Sequence, residues 1–156
     1  MFSAKAIKDI EAALRKYPNK RSAVMDALRI AQADRGGHIT QDDMEDISVL
    51  LEMPSVEVHA AAAFYTMYNV ERPVGRFHVQ VCRNISCSLM GAEHIIRYLE
   101  SRLSVKTGET TPDKKYTLST VECLGSCGTA PMMQINDEYY EGLNERKIDD
   151  ILKTLG

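Results

Sequence analysis

The hydrophobic spacing of this chain changes once, at Glu71-Arg72-Pro73-Val74-Gly75. Before that stretch, apolar residues recur every three or four positions, the period of a helix with one buried face. After it, Phe77, Val79 and Val81 alternate with His78 and Gln80, the period of a strand with one buried face. Proline and glycine at the change break any element that would run through it. The expected organisation is therefore a helical domain over residues 1–72 and a mixed α/β domain over residues 73–156.

Four helices are expected in the first part. Ser3 is a natural N-cap for one bearing Ile7, Ile10, Leu14 and Tyr17, and Tyr17-Pro18-Asn19 breaks it. A second runs from about Arg21 to Asp34, with Val24, Ala27, Leu28 and Ala31 on one face, and stops at Arg35-Gly36-Gly37. Thr40 followed by Asp43 forms a capping-box-like start for a third, carrying Met44, Ile47 and Leu51. Met53-Pro54-Ser55 opens a fourth, for which the spacing predicts a face of Val56, Ala60, Phe64 and Met67. Short amphipathic helices joined by brief loops make a small bundle.

The second part is expected to run strand, helix, strand, strand, strand, helix. After the first strand, a helix spans about Ser88 to Leu103, and Thr107–Lys115 is polar and loop-like. Tyr116–Val121, Met132–Ile135 and Tyr139–Glu141 are the further strands, and Glu145–Leu155 the last helix. A strand–helix–strand start implies a crossover to a parallel neighbour, and the later strands a hairpin. The fold class is thus α+β or α/β behind a helical bundle.

Composition narrows the function. A net charge of -3 and a pI near 5.8 lack the basic footprint of a nucleic-acid binder. No stretch approaches the roughly 18 apolar residues of a membrane span. The N-terminus interrupts its apolar pattern with charges, unlike a signal peptide, so the cysteines are expected in a reducing compartment. At 156 residues, 44% of them hydrophobic, the chain can bury a core without disulfides or metal. A metal site here is then functional rather than a substitute for a core.

All four cysteines lie in the second part. Cys82 and Cys87 form a C-x4-C pair, Cys123 and Cys127 a C-x3-C pair, and each pair follows a predicted strand. Neighbouring parallel strands would bring the two loops together. A 2Fe–2S cluster has two tetrahedral irons, each taking two protein ligands, usually thiolates, so one pair per iron is a natural division. The cluster is anionic and needs hydrogen-bond donors. Cys87 before a helix start, and Gly125 and Gly128 in the other loop, are the expected sources of free amides. On spacing alone a structural zinc bound by four sulfurs remains a rival, although short zinc loops mostly use C-x2-C. Unrelated buried thiols are the plainest alternative. His38, His59, His78 and His94 stand at no ligand spacing from a cysteine, and no catalytic constellation is found.

The stretches PVGRFHVQVCRNISCSLMGAEHI and VECLGSCGTAPMMQINDEYYEGL resemble the thioredoxin-like 2Fe–2S component, the E subunit, of the NADH–quinone oxidoreductases (respiratory complex I). GGHIT and AAAFYTMYNV resemble the same family, so the likeness covers nearly the whole chain. It implies a helical N-terminal domain followed by a thioredoxin-like ferredoxin domain. It implies one 2Fe–2S cluster on Cys82, Cys87, Cys123 and Cys127. It implies an electron-transfer subunit that is not itself catalytic, paired with a flavoprotein subunit holding FMN, the NADH site and a 4Fe–4S cluster. Such a chain sits in the cytoplasm, peripheral to the inner membrane, in the arm of a larger complex. Equivalent subunits of NAD-linked hydrogenases and formate dehydrogenases share the pattern. Met133 departs mildly from it, standing where valine is expected, and its longer side chain bears on local packing.

Overall fold

A computed structural model describes residues 1–156, which divide into two compact units, Met1–Pro73 and Val74–Gly156. The first is helical: α1 (Ala4–Leu14), a 3-10 turn (Lys20–Ala23), α2 (Val24–Asp34), α3 (Gln41–Leu51) and α4 (Ser55–Phe64). Ser3 caps α1, its hydroxyl accepting from the Ala6 N–H, but α1 stops before Tyr17. The expected capping box forms at α3. The Thr40 hydroxyl accepts from the Asp43 N–H while the Asp43 carboxylate accepts from the Thr40 N–H at 3.0 Å. Asp43 is buried and also takes the Arg35 Nε–H at 2.7 Å. Burial pushes the Asp43 carboxyl up, but the Thr40 and Arg35 bonds outweigh it and leave it below the usual carboxylate range.

The core of this unit joins Ile10, Leu28, Ile39, Met44, Ile47, Leu51 and Val58. One expected face is wrong. Helix α4 buries Val58 and Ala62, while Val56 and Phe64 are 70% and 78% exposed and Met67 lies beyond the helix end. Four consecutive alanines leave α4 apolar nearly all round, so spacing alone does not choose its inner face.

The second unit carries a four-stranded sheet in the order β2-β1-β3-β4, from β1 (Phe77–Cys82), β2 (Tyr116–Val121), β3 (Met133–Ile135) and β4 (Glu138–Tyr140). As expected, β1 and β2 are parallel, and β3 and β4 form an antiparallel hairpin, with β3 against β1. The crossover from β1 to β2 runs through α5 (Ile85–Leu89) and α6 (Ala92–Leu103), and α7 (Glu145–Thr154) closes the chain. Gly91, at φ +94°, separates α5 from α6, so the helix expected from Ser88 starts earlier and is broken. The core gathers Val79, Val81, Leu118, Met133 and Ile135 from the sheet with Ile95, Leu99, Ile148 and Ile151 from α6 and α7. Met133 is fully buried there. Near the sheet's start, a Cβ on Gly75 would lie 2.9 Å from the Lys114 carbonyl oxygen, so only glycine lets the chain enter β1 beside β2. No helix is long and apolar enough to cross a membrane.

Candidate metal centre

The parallel register sets the site. Cys82 ends β1 opposite Val121, the last residue of β2, so the chain leaving β1 and the chain leaving β2 emerge side by side. Cys87 follows on the first segment; Cys123 and Cys127 lie on the second. Cys82 and Cys87 are buried with Ala92 and Met132, and Leu124 and Ala130 pack against them; Cys123 and Cys127 are exposed. All four thiols are free. The site thus has a dry wall built on strand and helix and an open wall built on a loop.

The two segments meet, since Leu124 and Ala130 of the second pack against Cys82 and Cys87 of the first, and the thiols feel one another's surroundings. Burial pushes the Cys82 thiol up, but the N–H groups of Asn84 and Leu124 and the thiols of Cys87 and Cys123 outweigh it, leaving Cys82 below its ordinary value. Burial, the Cys82 thiol and the charges of Cys82 and Cys127 push Cys87 up to about 11, against a lowering bond from the Met132 N–H. Cys82 therefore neighbours a thiol from each segment, and Cys87 lies within the field of Cys127. No three His, Cys, Asp or Glu side chains, as placed, are grouped so as to hold a metal ion.

Amide donors surround the sulfurs, though not all from the expected places. Cys87 lies inside α5, not before a helix start; Asn84 caps that helix, and the donor to Cys87 is the Met132 N–H across the site. Gly125 behaves as expected: at φ +78° it turns its N–H toward Cys123 Sγ, at 3.3 Å. Gly128 has no positive φ. Met132, fully buried, lies on the main-chain path from loop to sheet, its carbonyl accepting from the Cys82 N–H at 3.2 Å.

Sequence reasoning missed the residues that fasten the exposed loop. Ser126 and Thr129 hydroxyls both reach the Glu141 carboxylate, and Tyr139 donates to the Leu124 carbonyl at 2.8 Å. The two hydroxyl bonds hold Glu141 below the usual carboxylate range. These partners are 12 to 15 residues apart, and no local period links them. The histidines lie elsewhere: His78 bonds Ser119 across β1 and β2, and His94 pairs with Glu145.

Mixed sheet and crossover give the second unit a thioredoxin-like form, with the four cysteines at and beyond the ends of its parallel strands. The chain belongs to the thioredoxin-like [2Fe-2S] ferredoxin family, whose pattern matches residues 10–156. It is similar to the second of the NADH-quinone oxidoreductase E subunits of Rhizobium meliloti (strain 1021), 46% identical over 146 residues, 94% of this chain and 86% of that one. It is also similar to the NADH-quinone oxidoreductase E subunit of Rickettsia prowazekii (strain Madrid E), 42% identical over 154 residues, 97% of this chain and 86% of that one. Among solved structures, a chain of an NAD+-reducing [NiFe]-hydrogenase in the air-oxidized state shares the fold, with a TM-score of 0.70 at 20% identity. The match covers 85% of this chain but only 22% of that longer one.

Proposed function

We propose that this chain is the 2Fe–2S electron-transfer subunit of an NADH–quinone oxidoreductase, holding its cluster on Cys82, Cys87, Cys123 and Cys127. The observation that carries the reading is the meeting of two cysteine pairs at the adjacent ends of parallel strands β1 and β2. The donor set fits the group. Four free thiols supply two ligands per iron, soft sulfur suits iron, and the N–H groups of Asn84, Leu124, Gly125 and Met132 point toward sulfur. What favours a binuclear cluster over a single tetrahedral zinc is membership of the thioredoxin-like [2Fe-2S] family over residues 10–156.

A 2Fe–2S cluster bound there supplies storage for one electron at a time. The chain's own residues do the rest. Cys82 and Cys87, buried beside Ala92 and Met132, keep water from one side. The amides favour the anionic state and so tune the potential. The exposed side at Cys123 and Cys127 is the natural face for exchange with a redox partner.

That partner is a flavoprotein subunit bearing FMN, the NADH site and a 4Fe–4S cluster, and the two form a heterodimer in a larger assembly peripheral to the membrane. The helical domain, residues 1–72, and the ferredoxin domain, residues 73–156, then divide the work of assembly and electron transfer. The chain is not itself an NADH oxidase. Relatives above 40% identity over nearly their full length favour the quinone-reducing complex over the hydrogenase alternative. The test is rapid mixing with NADH. The chain's visible absorption bleaches only when the flavoprotein subunit is present, with which it co-elutes at one to one. Reduction by NADH without the partner, or no complex, overturns the reading.

A further inference from the structure

The exposed arm of the site has little of its own to hold it in shape. Within Cys123–Thr129 the internal bonds are Gly125 N–H to Cys123 Sγ at 3.3 Å, and to Ser126 O from the Thr129 N–H at 3.2 Å and the Thr129 hydroxyl at 3.1 Å, with a Ser126–Thr129 hydroxyl contact at 2.8 Å. Cys123, Gly125, Cys127, Gly128 and Thr129 are all exposed. Restraint comes from the β3–β4 hairpin and its exit. Tyr139 Oη donates to Leu124 O, and Gly142 N–H donates to Thr129 O at 2.7 Å. Between them, one carboxylate oxygen of Glu141 accepts from Ser126 Oγ and from Thr129 Oγ1, the latter at 2.7 Å. Ser126 immediately precedes Cys127 and Thr129 follows two residues later. A single half-buried carboxylate thus brackets the cysteine from both sides of its 3-10 turn.

We propose that Glu141 is a positioning residue for the iron–sulfur site: by gripping the Ser126 and Thr129 hydroxyls it fixes the Cys127 turn, and with it the thiolate of the open wall. The inference rests on the cysteine assignment above. An ionised carboxylate only accepts hydrogen bonds, so both hydroxyls must turn toward it, and charge-assisted bonds of this kind are about twice as strong as neutral ones. The contrast with the buried wall is the reason a clamp is needed here. Cys82 is held by the sheet register and Cys87 by α5, whereas Cys127 has no regular element beyond its own short turn. Without Glu141 the open wall loosens while the buried pair keeps its place.

The experiment uses the full chain, purified anaerobically, as wild type and as Glu141→Ala, Glu141→Gln, Ser126→Ala/Thr129→Val and Glu138→Ala. Iron and sulfide content, the rate of iron loss to an excess chelator and the EPR spectrum of the reduced protein are read, with circular dichroism to check folding. Glu141→Ala is expected to lose iron about tenfold faster or more, the scale of one lost hydrogen bond to a charged group, and to broaden the EPR signal. Glu141→Gln restores most of the retention, because its amide oxygen still accepts from both hydroxyls. The double hydroxyl variant behaves like Glu141→Ala, and combining them adds little further, as coupled residues do. Glu138→Ala, which alters an exposed carboxylate on the same hairpin, behaves as wild type. Wild-type loss rates and spectra in both Glu141→Ala and the hydroxyl variant overturn the proposal; should Glu141→Ala fail to fold, the hydroxyl variant decides it. Equal damage from Glu138→Ala and Glu141→Gln overturns it too, by making surface charge the cause. A wild-type chain without iron and sulfide instead brings down the cysteine assignment on which the clamp depends.

Discussion

Replacing Met132 by alanine tests how far the packing beneath the cysteines supports them. Met132 is fully buried against Cys82, Cys87 and Ala92. Truncation removes Cγ, Sδ and Cε, worth about 2 kcal/mol in transfer at about 0.8 kcal/mol per buried methylene. The void left behind adds roughly 1 to 2 kcal/mol at about 24 cal/mol per Å3 of unrelaxed cavity. The expected loss is therefore about 3 to 4 kcal/mol in the opening free energy of this region. The main-chain bonds of residue 132, to the Cys82 N–H and to Cys87 Sγ, are retained by alanine, so the loss isolates packing from hydrogen bonding. Hydrogen exchange followed by mass spectrometry reads it locally: peptides covering β1 and β3 lose protection, while those covering α1–α3 do not. Iron loss to a chelator quickens in parallel. Unchanged protection in β1 and β3, with unchanged iron retention, would refute the claim that this side chain braces the buried pair.

Two further outcomes concern the helical unit. Asp43→Ala removes the returning half of the α3 capping box and leaves Arg35 without its partner, so it should cost about 2 to 3 kcal/mol by urea denaturation at neutral pH. Because the Asp43 carboxyl is held below its ordinary value, its contribution is complete above the unfolded pKa of about 3.9 and fades as pH falls through the lower folded value. Wild type and variant should accordingly converge in acid, below about pH 4; a difference that stays constant down to about pH 2 would show that the lost packing, not the charge, is responsible. Deleting residues 1–72 should leave the iron and sulfide content of the remainder unchanged but weaken its binding to the flavoprotein subunit, measured by calorimetry. Equal affinity would leave the helical unit with another role.

Much of this architecture is legible in the sequence. Thr40 and Asp43 announce their own capping box because the motif is local and its chemistry fixes its geometry. The alternation at Phe77, Val79 and Val81, with a helical pattern before Tyr116, foretells parallel β1 and β2, and hence the meeting of the two cysteine segments. Where the pattern is silent, the reading fails. The alanine run of α4 has no dominant face, and spacing picks the wrong one to bury. Gly91 breaks a helix that periodicity alone carries straight through, and the short α5 before it, capped by Asn84, starts early enough to hold Cys87 inside it. The donor to Cys87, the Met132 N–H, and the grip of Glu141 on Ser126 and Thr129 are tertiary contacts between residues far apart in sequence. Only the folded backbone brings them together.

Whether four cysteines of this chain hold one binuclear iron–sulfur cluster is decided most directly by counting metal and sulfide. Iron, zinc and acid-labile sulfide per chain are measured in anaerobically purified protein from iron-replete cells, with EPR after dithionite reduction. About two irons and two sulfides per chain and a spin-half signal are expected, as a 2Fe–2S site requires, all lost when Cys82, Cys87, Cys123 or Cys127 is replaced by alanine. One zinc per chain with no sulfide and no signal would contradict the assignment.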